Sequence, residues 1–253
     1  MKKYLMTVVA ALAAASFTSC SNEMDMFDPI SSEKATINLN ITNDNVMVTR
    51  AEGNVADPSS WYIKVGNIEQ IQVSTLSSKK YEEGTYNITV SNYTNEAAAI
   101  TANDAYYEGT NTNQELKKGS NSITVACGKA KNCRVKADLA GLADFAAITD
   151  AKLTVSQASV SPRELNSTNT TGYFYAGTGN TISYSLDYKY NNNSMSNLNG
   201  SITNPAAATE YQVKVVTNSN GTITLTVTYD TEFTTVTAKT ITIDAATGAE
   251  ATN

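Results

Sequence analysis

Histidine is missing from this chain, and that narrows its chemistry before any fold is considered. Ser-His-Asp and Cys-His catalysis need an imidazole to carry the proton. A His-ligated metal site needs one too. Carboxylates remain, and a glycosidase would require two of them about 5 to 10 Å apart. Glu82 and Glu83 are adjacent, so on a strand they point to opposite faces and make no acid–base pair. Asp57, Asp104, Asp144 and Asp187 show no spacing that predicts convergence. Cys127 and Cys133 flank Gly128 to Asn132, which places them at the foot of a hairpin, one on each strand. Facing strand positions bring Cβ atoms within disulfide reach, and closing so short a loop would stabilise by about 2 kcal/mol. The alternative is two small apolar core residues. Two cysteines without histidine make a poor zinc site, and nothing else in the residue types asks for a cofactor. Tyr173, Phe174, Tyr175, Tyr184, Tyr188 and Tyr190 form a run of aromatics. Tyr184 and Tyr188 share one strand face with Leu186. If exposed, Tyr173, Tyr175, Tyr184 and Tyr188 could stack on sugar rings, since each offers a flat apolar face and a polar tip. If buried, they pack a core.

The compartment is read from the first residues. Lys2 and Lys3 form a positive start, Leu5 to Ala15 is an apolar run, and Ser16 to Cys20 follows; that order is a secretory signal. As a helix the apolar run spans roughly 20 Å, against about 30 Å for a bilayer core, so it is too short to stay as a spanning anchor. Phe17-Thr18-Ser19-Cys20 resembles a lipobox, with Phe17 where Leu is usual. The resemblance implies cleavage between Ser19 and Cys20, with palmitate-type acylation of Cys20 holding the chain to a membrane. An ordinary cut near Ala15 would leave Cys20 a free thiol instead. With Cys20 acylated, the other two cysteines form an even pair in an oxidising compartment. Ser21 to Asp28 is polar, acidic and without periodicity, so it is expected to be a flexible tether. Its acidity resembles the surface-export signal of Bacteroidota lipoproteins, which implies an outward-facing outer-membrane protein; a leader facing the periplasm is the alternative. The net charge is −6, and about −8 once Lys2 and Lys3 are lost. That balance argues against nucleic acid as a partner.

The rest of the chain alternates. Ile37, Leu39 and Ile41; Trp61, Ile63 and Val65; Tyr86, Ile88 and Val90; Ile123, Val125 and Cys127; and Cys133, Val135, Ala137 and Leu139 each mark one apolar strand face. Leu153 and Val155; Ile182 to Tyr188; Tyr211 to Val215; Ile223 to Tyr229; and Ile241 and Ile243 continue the series. Abundant Thr suits half-buried strands, and Asn and Ser suit turns. Asn220-Gly221 reads as a type I′ hairpin turn, since both central positions need positive φ. A short helix or turn is expected over Leu139–Ala146 and one turn over Asn95–Thr101. Loops are expected at Pro162–Thr171 and Asn191–Pro205. The fold expected is all-β: two antiparallel β-sandwich domains (transthyretin/Ig-like) in tandem, after a signal helix and a tether. The divisions are 1–19 signal, 20–34 lipidated tether, 35–139 first sandwich, 140–247 second sandwich and 248–253 tail.

Trp61-Tyr62-Ile63-Lys64-Val65, Glu83 to Val90, Tyr106-Tyr107-Glu108-Gly109, Val125-Ala126-Cys127, Asn132 to Val135 and Gly172-Tyr173-Phe174 occur in an order that resembles one family. It is a family of gut Bacteroidota lipoproteins with a domain of no assigned function. The chain is similar, more loosely, to the fimbrillins, whose two domains are transthyretin-like sandwiches. Neither resemblance implies an activity. By analogy with fimbrillins, cleavage at Arg50 would remove the first strand and open a groove for a neighbour's strand; the alternative is an ordinary loop arginine. The leading expectation is a non-catalytic surface lipoprotein for adhesion or capture of a ligand, a glycan or a surface protein. A pilus subunit or accessory protein assembling by strand exchange is second, and a carboxylate hydrolase third.

Overall fold

The computed structural model describes residues 34–42, 58–142, 147–217, 223–231 and 234–243. Ser19, Cys20 and Arg50 lie outside these residues, as do the signal and tail. The strands are β1 (Ala35–Thr42), β2 (Tyr62–Val65), β3 (Ile71–Gln72), β4 (Gly84–Ser91), β5 (Glu108–Leu116), β6 (Gly119–Ala126), β7 (Cys133–Asp138) and β8 (Ile148–Gln157). They continue as β9 (Val160–Leu165), β10 (Thr171–Phe174), β11 (Thr181–Tyr190), β12 (Asn193–Thr203), β13 (Glu210–Thr217), β14 (Ile223–Thr231) and β15 (Thr234–Ile243). One helix, α1 (Glu96–Ala102), separates β4 from β5.

Alternation builds two cores, as expected of an all-β chain. In the first, the antiparallel sheet β3-β2-β4-β5 faces the pair β1-β6, and Ile37, Ile63, Val65, Ile88, Val90, Ile123 and Val125 meet between them. In the second, β12-β11-β8-β9 faces β10-β7-β13-β14-β15, with Val135, Leu153, Val155, Phe174, Ile182, Leu186 and Val213 inside. Two pairings depart from the antiparallel expectation: β1 runs parallel to β6, and β7 parallel to β13. Each places a strand that opens one core beside a strand that returns to it later, a connection possible only through a long crossover.

The strand Cys133–Asp138, expected with the first sandwich, pairs in the second sheet and buries Cys133, Val135 and Ala137 in the second core. Alternation states that a strand has a buried face but not which sheet receives it. The expected loop at Asn191–Pro205 is mostly β12. Asn191 and Asn192 both have positive φ, 48° and 66°. They form the tight turn of the β11–β12 hairpin, in the backbone region that a type I′ turn needs. The loop expected from Pro162 begins later, because Pro162 sits within β9, an edge strand that tolerates it. The one-turn helix at Asn95 forms: Asn95 Oδ1 accepts from the Ala98 N–H at 2.9 Å, and Asn103 closes the far end at φ 58°. Over Leu139–Ala146 only a 3₁₀ turn at Ala140–Leu142 is described.

Candidate functional site

Because Leu153 and Val155 on β8 and Ile182, Tyr184 and Leu186 on β11 turn inward, the intervening residues turn to the outer face of the four-stranded sheet. Register sets them in two rows: Ser156, Ser183 and Ser201, then Thr154, Ser185 and Asn199. A cavity of about 430 Å³ lies over these six residues. They are short enough to leave this hollow on the sheet. Beneath it Gly200 lies opposite Tyr184, and a Cβ there would stand 2.5 Å from Tyr184 Cζ. The hairpin can close over the ring only with glycine at that position.

Asp187 organises one end. Thr154 Oγ1 donates to Asp187 Oδ2 at 3.0 Å, and Ser185 Oγ donates to Asp187 Oδ1 at 3.4 Å. With their protons committed, these two hydroxyls turn acceptor lone pairs to other groups. Besides Asp187, charged groups around this face are paired: Lys152 with Glu164, and Lys189 with Asp150 at 2.5 Å. The lining of the groove itself therefore offers neutral donors and acceptors, with one carboxylate at its end.

The aromatics expected to stack on ligand are not brought to this groove. Tyr184 and Tyr188 are each only 3% exposed and pack in the second core. This corrects the stacking role for both: their strand turns that face inward, and burial pushes both phenols up. Tyr173 is half-buried on the opposite sheet, where its hydroxyl accepts from Arg134 Nη1 at 3.4 Å and its ring lies 5.9 Å from the guanidinium carbon. Arg134 also pairs with Glu210. Tyr175 is half-buried, and its backbone N–H and C=O are both taken by the Gln157 amide at 2.8 Å.

The possible disulfide is likewise corrected. Cys127 and Cys133 are free buried thiols. They do not face each other across a hairpin, because β6 belongs to the first core and β7 to the second. Cys127 Sγ lies 3.6 Å from the Val90 carbonyl, and Cys133 Sγ lies 3.4 Å from that of Phe174. Burial pushes their pKa values up, to about 11 and about 12. Protonated thiols of this kind are poor nucleophiles.

The acids do not gather in the groove. Asp104 accepts from the Tyr93 hydroxyl at 2.9 Å, and Glu82 pairs with Lys34 at 2.6 Å. Burial raises the Glu96 carboxyl first, and the charge of Glu108 raises it further. Glu108 already accepts from the Tyr106 hydroxyl at 2.7 Å. Asp57 and Asp144 lie outside the described residues. Among the described residues no three His, Cys, Asp or Glu side chains gather to hold a metal ion, and no helix is long and apolar enough to cross a membrane.

Asparagines do the work that sequence reading missed. Asn132 is 1% exposed; its Oδ1 accepts from Tyr106 N–H at 3.0 Å and its Nδ2 donates to Asp104 C=O at 2.9 Å. Asn103 Nδ2 donates to Thr171 C=O at 3.1 Å, and its Oδ1 accepts from Tyr173 N–H at 3.0 Å. Both tie the two cores together. Turn propensity was the only signal these residues gave.

No curated protein matches the chain. Among solved structures it is similar to a candidate cell adhesion protein from Bacteroides eggerthii, at 8% identity and TM-score 0.38, over 78% of this chain and 95% of that one. It is also similar to the Bacillus anthracis TIE protein, at 10% identity and TM-score 0.25, over 87% of this chain and 45% of that one. The model of one family spans residues 33–245, which takes in both cores, and the chain belongs to that family, described as a domain of unknown function (DUF4493).

Proposed function

We propose that this protein is a non-catalytic surface lipoprotein, held to the outer membrane through acylated Cys20, that presents its two β-sandwiches for adhesion or ligand capture. The observation that carries the capture reading is the neutral hydroxyl-lined groove over Thr154, Ser156, Ser183, Ser185, Asn199 and Ser201. Such a surface suits a ligand rich in uncharged hydroxyl and amide groups, as a glycan is, recognised by hydrogen bonds rather than by aromatic stacking. A glycan array probed with the full chain tests this. A bound glycan should be lost by more than tenfold in Ser183→Arg, which fills the groove from an exposed position. Failure of every glycan to bind, or equal binding by Ser183→Arg, overturns the glycan reading. Protease shaving of intact cells and palmitate labelling of Cys20→Ala test the anchor and its exposure.

Assembly by strand exchange is a second reading, favoured by one feature. Among the described residues β1 is paired along its length by β6 and bridged to Tyr81 at Ala35, and it buries Ala35 and Ile37 in the first core. Cleavage at Arg50 would release it and open that core. Residues 20–50 still covalently attached in material from the native surface would discard this reading.

A further inference from the structure

A sheet edge exposes a row of unpaired N–H and C=O groups, and natural β-proteins blunt such edges with charge, proline, shortness or a cover. The described edges here are blunted, with one clear departure. β3 is two residues long. β5 carries Glu108, Glu115 and a bulge. β9 carries Pro162, Arg163 and Glu164. The outward groups of β10 are taken by Asn103. β15 carries Lys239. The far side of β6 is covered from β5, where Asn111 Nδ2 donates to Thr124 C=O at 3.1 Å. β1 is bridged to Tyr81 at Ala35 and leads into residues outside the described set. β12 closes its sheet with eleven residues, NSMSNLNGSIT, that include neither charge nor proline.

The ladder shows which groups β12 leaves outward. Asn204 N–H donates to Asn180 C=O at 2.9 Å. Hydrogen-bonded pairs alternate along an antiparallel ladder, so Ile202 and Gly200 also point their backbone groups to β11. Asn199, Ser201 and Thr203 therefore point theirs away. The register irregularity on this strand falls between Leu198 and Met195, which leaves Leu198–Thr203 regular.

We propose that β12 is a self-pairing edge, through which two copies of this chain join their four-stranded sheets antiparallel about a two-fold axis centred on Ser201. Ser201 then faces the second copy's Ser201, and Asn199 faces its Thr203. The three pairs make about six backbone hydrogen bonds. The occupant is a second copy because the seam matches itself. The chain carries a net charge of −6, yet no charged side chain stands on β12, so the edges meet without repulsion. Ser, Asn and Thr can also hydrogen-bond their opposites across a sheet face. The row of Ser156, Ser183 and Ser201 would run unbroken across the seam, and one groove would become a double one. Pairing does not require the groove to bind anything.

Sedimentation velocity of the full chain in excess detergent micelles tests this. The wild type should sediment at twice the chain mass at about 50 µM, a concentration suited to a small interface. Ser201→Pro removes an outward N–H that β11 does not use. It should self-associate at least tenfold more weakly, with an unchanged far-UV spectrum. Should that variant fail to fold, Ser201→Lys sets like charges opposite each other and should give the same loss. Ser201→Cys should form a covalent dimer under mild oxidation, and Ser183→Cys, one strand further in, should not. A wild type monomeric to about 500 µM, a dimer that survives both Ser201 substitutions, or equal cross-linking of the two cysteine variants overturns the proposal.

Discussion

At Gly200 a single methyl group has nowhere to go. A Cβ there would stand 2.5 Å from Tyr184 Cζ, and the ring is held in the second core. Gly200→Ala should cost about 1 to 3 kcal/mol, read as a lower urea midpoint with unchanged slope. Gly128→Ala, which meets nothing within 4 Å, should leave the midpoint level or slightly raised. The two buried thiols set a pH dependence. Each has a folded pKa above its unfolded value near 9, so the folded chain holds those protons longer. Their stabilisation is complete below about pH 9 and is lost as pH rises toward 11 to 12. Burial also raises Tyr93, to about 12, with the Asp104 hydrogen bond and charge adding to the shift, and its loss falls in the same direction. Urea midpoints should decline above pH 9, and less steeply in Cys127→Ala/Cys133→Ala than in the wild type. Native thiols at pH 8 should resist iodoacetamide and label only in denaturant.

At the scale of elements, what alternation encodes was legible and what turn residues encode was not. Ile182, Tyr184, Leu186 and Tyr188 announce β11 and its buried face. β12 stayed hidden because Asn and Ser dominate it, and their turn propensity outweighs the weak alternation of Leu198 and Ile202. The groove was illegible for the same reason, since its residues matter only once three strands set them side by side. Hairpin spacing alone points to a disulfide, but the chain changes sheets between Cys127 and Cys133, so the two thiols enter different cores. Asn103 shows how one turn residue can hold two elements. It caps α1 at φ 58°, and its amide occupies the outward edge of β10. Asn103→Gly keeps the backbone but loses both side-chain bonds, whereas Asn103→Ala adds strain at positive φ. Losses of about 2 and about 3 kcal/mol in unfolding free energy are expected, the difference measuring the backbone alone.

At the scale of the molecule, the question is whether two cores behave as beads or as one body. The junction argues for one body. Asn132 grips Tyr106 and Asp104 from the start of the second core, and its carbonyl accepts from Ala208 N–H at 2.9 Å. From the other side Arg163, packed over the Phe174 ring, donates to the Ile100 carbonyl near the end of α1. A guanidinium there meets the negative end of the helix and adds a second donor to a carbonyl that already accepts from Asn103 N–H at 3.0 Å. Opening the junction would give up these hydrogen bonds to water, at a net cost of about 0.5 to 1.5 kcal/mol each. A cooperative unit follows. Calorimetry of the wild type should give a single transition whose calorimetric and van't Hoff enthalpies agree. Removing the grip with Asn132→Ala and Arg163→Met should split it into two transitions, one for each core. Two transitions already present in the wild type would mean that the junction only touches and does not couple. A coupled junction matters for anything this surface captures, because a pull on the second core then passes to the first through about half a dozen hydrogen bonds, rather than straightening a linker.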